Sequence, residues 1–277
     1  MKTPDAVKLA SRLILATVTS GLLSSTISAK ELFCAVGYYG EFAYIDPTTG
    51  RAVLTRNNLP DGLQALALAP DGTLFAARSG ELYTLDPLTG NASLFLSIDV
   101  NIHGMAFSPS GDLYVTKSAP REPDTLVIID IKQGTLRSVN DLWGDVRDVE
   151  GLAFSPDGEL YGVLPRNSTE GTYDLFTIDL DDAKTHLISS QVGVDLSQSL
   201  VFTPDGRLYA LGKTNGPDGP MSSFARLDPS SGDIIGPVLA FPGDYRGLEL
   251  VPEPATLLLL GLGSVVLLSR PRQSRRA

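Results

Sequence analysis

Gly151-Leu-Ala-Phe-Ser-Pro-Asp-Gly158-Glu-Leu-Tyr161, followed after a loop by Leu175-Phe-Thr-Ile-Asp179, decides the fold of this 277-residue chain. Versions of the phrase begin at Ala65, Gly104 and Ser199. They lie about 40 to 50 residues apart, the period of four-stranded propeller blades. The globular part opens on the second half of the phrase, Leu32-Phe33, and closes on its first half, Arg246-Gly-Leu-Glu-Leu250. Joining the halves gives one split blade, Leu32 to Arg56 plus Arg246 to Val251. Four intact blades begin near Gln64, His103, Glu150 and Gln198. The expectation is an all-β, five-bladed β-propeller closed by pairing of the N- and C-terminal strands, which removes two exposed edges.

The residues inside each unit support this. The first strand of each blade carries large apolar residues at alternate positions, such as Leu152 and Phe154 or Leu200 and Phe202. The positions between are small: Gly151 and Ala153, Gly104 and Ala106, Ala65 and Ala67. One face is thick and the other thin, so neighbouring blades can interlock large against small. Pro70-Asp-Gly72, Pro109-Ser-Gly111, Pro156-Asp-Gly158 and Pro204-Asp-Gly206 are turns into the second strand, with proline presetting φ and glycine taking φ > 0. The third strand always ends in aspartate: Asp46, Asp86, Asp130, Asp179, Asp228. Each stands where an Asx turn needs an acceptor, so the five are read as structural. Glu249 is a misfit, because its position is small or apolar in the other blades.

The ends read differently from the middle. Lys2, Lys8 and Arg12 precede an apolar run, Leu13 to Leu23, and then Ser24 to Ala29. Residues 1–29 are therefore expected to be a secretory signal, delivered to the Sec translocon and cut after Ala29, with the propeller at 30–251. Between Lys30 and Leu250 there are 15 Lys plus Arg against 30 Asp plus Glu. Such an acidic domain repels nucleic acid and anionic lipid, and its self-repulsion keeps it soluble. The single cysteine, Cys34, excludes an internal disulfide in a compartment that would permit one; it aligns with Ala76, Val115, Gly162 and Ala210 and reads as a small core residue.

After Val251-Pro-Glu-Pro254 comes an apolar stretch, Ala255 to Ser269, and then Arg270-Pro-Arg272-Gln-Ser-Arg275-Arg276. The stretch is expected to be a transmembrane helix at about 255–269. It is short for a full span at 1.5 Å per residue, which suits transient insertion. The arginines place the propeller on the outer side. In order and position these parts resemble the PEP-CTERM sorting signal of Gram-negative bacteria. The resemblance implies a sorting segment at 252–277 in which Pro252, Glu253 and Pro254 are read by an exosortase. It further implies an inner-membrane intermediate, followed by release to the cell surface or extracellular matrix in an exopolysaccharide or biofilm setting.

Propellers bind ligands at the mouth of the central channel. The residue six before each turn proline lies at that mouth: Gln64, His103, Glu150, Gln198 and Arg246. Asn101, Asp148 and Asp244, two residues further back, fall on the same side by alternation. Long loops at Lys117 to Asp124, Arg166 to Thr172 and Lys213 to Ser222 are expected on this face. The repeats resemble those of WD, YVTN and gluconolactonase-like propellers, and Glu150-Gly151 resembles the Glu-Gly motif of the calcium-dependent members. That resemblance implies Glu150 as a Ca²⁺ ligand. Asn101, Asp148 and Asp244 supply further oxygens toward the six or more that Ca²⁺ takes, whereas Arg246 places a cation in the same ring. No Gly-x-Ser-x-Gly elbow, P-loop or dinucleotide fingerprint occurs. His103 and His186 are too few for a His-rich metal centre, and Trp143 is read as packed under a loop. Two readings follow: a non-catalytic module that binds a protein, glycan or small ligand, and a Ca²⁺-dependent lactonase- or esterase-like hydrolase.

Overall fold

The computed structural model describes residues 32–251, apart from 57, 88, 145, 168–170 and 192. The expected signal peptide, the Ala29 cut, the Pro252-Glu253-Pro254 motif and the expected helix at about 255–269 lie outside the described residues. Among those described, no helix is long and apolar enough to cross a membrane.

Five four-stranded antiparallel sheets make up the described chain. Blade 1 consists of β1 (Leu32–Gly37), β2 (Phe42–Ile45), β3 (Ala52–Arg56) and the chain's last strand, β20 (Tyr245–Val251). Blade 2 holds β4 (Ala65–Leu68), β5 (Leu74–Arg78), β6 (Glu81–Leu85) and β7 (Ala92–Ser97). Blade 3 holds β8 (Ile102–Phe107), β9 (Leu113–Lys117), β10 (Thr125–Asp130) and β11 (Thr135–Asp141). Blade 4 holds β12 (Gly151–Phe154), β13 (Leu160–Asn167), β14 (Thr172–Ile178) and β15 (Thr185–Gln191). Blade 5 holds β16 (Ser199–Phe202), β17 (Leu208–Gly216), β18 (Gly219–Leu227) and β19 (Ile234–Pro242). The ring closes as the sequence requires: β20 pairs with β1 in the register Phe33↔Leu250 and Ala35↔Leu248.

Apolar burial is divided among five cores, one at each interface between blades. Ala65, Ala67 and Phe75 of blade 2 pack on Met105, Leu113 and Val127 of blade 3. Ala106 and Tyr114 of blade 3 meet Leu152 and Phe176 of blade 4. Ala153 and Tyr161 of blade 4 meet Leu200 and Leu208 of blade 5, and Leu66 and Leu74 of blade 2 meet Cys34, Val36 and Phe42 of blade 1. At the closing seam, Val201, Tyr209 and Phe224 of blade 5 enclose Phe33, Ala35 and Leu248. The thin face of one blade receives the thick face of the next all the way round. Gly151 shows how tight this is, since a Cβ there would meet Ser199 Cα at 2.8 Å and Leu200 N at 3.0 Å.

The strand-terminal aspartates are structural, as expected. Asp46, Asp130, Asp179 and Asp228 each accept a backbone N–H two residues on, at 2.8–2.9 Å. Cys34 is fully buried and unpaired.

Two local expectations need correction. Lys213 to Ser222 is a hairpin in which β17 and β18 pair out to Gly216↔Gly219. Gly219, at φ 131°, lets a tight turn close the ladder across the segment expected as a long loop. Trp143 is 54% exposed, with Lys184 Nζ 5.7 Å from its ring centroid. It lies on the surface beside a cation rather than under a loop.

Candidate functional site at the channel mouth

The five expected mouth residues all stand at the entry to the innermost strands. Gln64, Glu150 and Gln198 start theirs with N–H bonds to Ala77, Val163 and Leu211 on the second strand, while His103 and Arg246 lie within β8 and β20. Arg246 Nη1 comes within 4.0 Å of Glu150 Oε2. These residues belong to blades 1 and 4, which are not neighbours, so these two side chains approach each other across the channel.

Arg246 is held on three sides. Its Nε and Nη2 donate to the two carboxylate oxygens of Asp244 at 2.6 and 3.0 Å, the bidentate geometry that fixes a guanidinium. Its Cζ lies 4.9 Å from the ring centroid of Tyr38, in the β1–β2 turn. Tyr39, next to it, is 59% exposed.

The expected second row divides. Asp244 is committed to Arg246, and Asn101 Nδ2 lies 3.1 Å from His103 Nε2. Asp148 is exposed and adopts φ 58°, so the extended alternation that put it beside Glu150 breaks there. Among the described residues, no three His, Cys, Asp or Glu side chains are grouped to hold a metal ion.

Burial tunes the titratable groups. Desolvation pushes Glu150 above the usual carboxylate range, opposed by the charges of Arg246 and Lys213 and reinforced by Asp148 and Asp195. Burial holds the His103 imidazole below its ordinary value, against the pull of Asp124 and Asp148, so it is neutral at pH 7. Asp124, fully buried, is raised by desolvation, against its hydrogen bond from Val149 N.

Sequence reasoning missed the groups that set the mouth's shape. In three blades a buried side chain pins the backbone one residue before the mouth residue. Asp124 Oδ2 accepts from Val149 N at 2.8 Å, ahead of Glu150. Ser222 Oγ accepts from Tyr245 N at 2.9 Å, ahead of Arg246. Asp195 Oδ1 accepts from Ser197 N at 3.0 Å, ahead of Gln198. Asp195 is the only one of the three in the same connection as the residue it pins, the segment leading into β16.

The comparisons add two things. Residues 250–273 match the family model of the PEP-CTERM protein-sorting motif, so the sorting segment overlaps the end of β20. No curated protein sequence matches the chain. Among solved structures, the nidogen/laminin complex is 12% identical over 80% of this chain and 98% of that one, with a TM-score of 0.52. A symmetrical protein solved in connection with its de novo evolutionary emergence is 21% identical, over 80% and 100%, at 0.51. At these identities the likeness is one of fold. A gluconolactonase from Xanthomonas campestris is 15% identical over 79% and 80%, at 0.45, which carries no argument for chemistry here.

Proposed function

We propose that this is an exported, non-catalytic binding propeller, handed by its tail to an exosortase-type enzyme and displayed at the cell surface or in the extracellular matrix. The observation that supports it best is the sorting motif starting on the closing strand itself. Leu32 and Val251 are register partners, so the chain enters and leaves the propeller at one place, at the end of blade 1 opposite the mouth. A membrane segment following Val251 therefore turns the mouth outward. The ligand is taken there, by Gln64, His103, Glu150, Gln198 and Arg246.

Replacing Pro252-Glu253-Pro254 by alanines should abolish processing. The check is a C-terminal epitope that stays on the membrane-bound chain instead of being lost on release. An epitope still lost at the normal rate would remove the exosortase reading. Val251 is buried and in the ladder, so the processing enzyme has almost no slack chain to grip. A flexible insertion after Val251 should speed release in a pulse–chase experiment, and unchanged kinetics would count against this steric limit.

A Ca²⁺-dependent hydrolase centred on Glu150 makes a different prediction. Calcium should then give heat on titration and a thermal shift, both lost in Glu150→Gln. With Asp244 bound to Arg246, neither is expected.

A further inference from the structure

Gln198 is 1% exposed, and neither its Oε1 nor its Nε2 has a hydrogen-bond partner. A buried primary amide with both ends unmet is the exception in folded proteins and calls for an explanation. Close by in the chain, Asp195 is buried too. Its Oδ1 serves Ser197, while its Oδ2 has no partner. Blade 5, which carries Gln198, lies between blades 4 and 1. Those two flanking blades carry Glu150 and Arg246, whose approach across the channel, at 4.0 Å, is too long for a hydrogen bond.

Resting on the reading of the mouth as a binding site, we propose that Gln198, Asp195 and Glu150 form a subsite for an uncharged polyhydroxylated ligand, a saccharide, which enters when Arg246 and Glu150 part. The amide offers a donor and an acceptor side by side, and Asp195 offers an acceptor alone. A hydroxyl can accept from Nε2 while donating to Asp195 Oδ2, and a neighbouring hydroxyl can donate to Oε1. The charges favour neutrality. Glu150 feels opposing charges, Arg246 and Lys213 against Asp148 and Asp195, so the field around it selects no net charge of either sign. The exposed ring of Tyr39, on the same face and in contact with Tyr38 at 5.4 Å, offers the apolar surface that sugar C–H faces use.

The test uses the full chain in a detergent without sugar, followed by thermal unfolding and titration calorimetry. The probes are glucose, galactose, mannose, N-acetylglucosamine and dextran, with gluconate and spermidine as charged counterparts. At least one neutral saccharide should raise the melting temperature, while gluconate and spermidine should not. Response to a monosaccharide identifies a free sugar as the ligand, and response to dextran alone a polymer. Asp195→Asn should weaken binding at least about tenfold, and Gln198→Leu should abolish it. Without ligand, Gln198→Leu should raise the melting temperature by roughly 3 °C or more, because it removes two unmet polar atoms.

A lower melting temperature for Gln198→Leu would make the amide structural and overturn the subsite. Binding that survives Gln198→Leu would do the same, as would no response to any neutral saccharide. A response to spermidine or gluconate that depends on Glu150 would overturn the saccharide class while leaving the mouth as a binding site.

Discussion

A chain ending at Asp244 should lose its cooperative fold altogether. The deletion takes away β20, and with it Tyr245, Leu248 and Val251, each at most 4% exposed. It also strips β1 of a partner along its whole length. Truncating one buried leucine to alanine already costs about 2–5 kcal/mol, against a total stability of about 5–15 kcal/mol for a domain. Losing three such side chains and a six-pair ladder exceeds that total. The seam would open twice over, because Phe33 and Ala35 share their core with Tyr209 and Phe224 of blade 5. The single change Leu248→Ala should stay folded but fall within the same 2–5 kcal/mol range by urea denaturation. The deletion also has an informative rescue. Leu32 and Val251 face each other at the end of an antiparallel pair, so a tight turn can join them. A circular permutant so joined, and opened in the connection between β3 and β4, should unfold cooperatively like the parent. If the chain lacking β20 unfolded just as cooperatively, the closed ring would not be what stabilises this protein.

The closure was legible because it is written in repeating units. Each blade restates the same large–small alternation and the same Pro-x-Gly turn, so a half-phrase at either end identifies its missing complement. The five mouth positions were legible for the same reason, as a fixed offset from the turn proline. What surrounds them does not repeat. Blade 4 pins nothing through Asp148, which has turned into the left-handed region. Blade 5 has Leu196 where others carry Asn101, Asp148 or Asp244, and its polar role has moved to Asp195. Tyr38, in the turn after β1, reaches Arg246 from the strand that pairs with β20. An offset rule cannot find residues placed by three-dimensional approach. The hairpin at Lys213 to Ser222 was missed for a related reason. Gly, Pro and Asp mark a turn, but cross-strand pairing decides how far the ladder extends around it.

Glu249, the residue that broke the repeat, should give the protein a pH-dependent weakness. Its carboxylate lies on a chamber of about 110 Å³ among Leu68, Phe107, Phe154 and Phe202. It accepts from Leu68 N of blade 2 at 2.9 Å and from Leu250 N at 2.8 Å. It therefore ties the closing strand to the next blade. Desolvation pushes its pKa up to about 7, against the two backbone N–H groups that favour the charged form. Burial and this carboxylate together raise the neighbouring Cys34 thiol as well. An unfolded chain ionises Glu249 near 4.5. Between that pH and about 7 the unfolded state has lost a proton that the folded state keeps. Stability attributable to Glu249 therefore falls as pH rises through this window and levels off above it, by about 3 kcal/mol in all. Glu249→Gln has nothing to titrate. Its –NH₂ must also oppose one of the two backbone donors, a fixed loss of about 1 kcal/mol at every pH. The variant should thus be slightly less stable than the parent at pH 4.5 and more stable at pH 8. Urea midpoints measured at both pH values read out this crossing, and parallel curves for the two proteins would show that Glu249 titrates alike in the folded and unfolded chain.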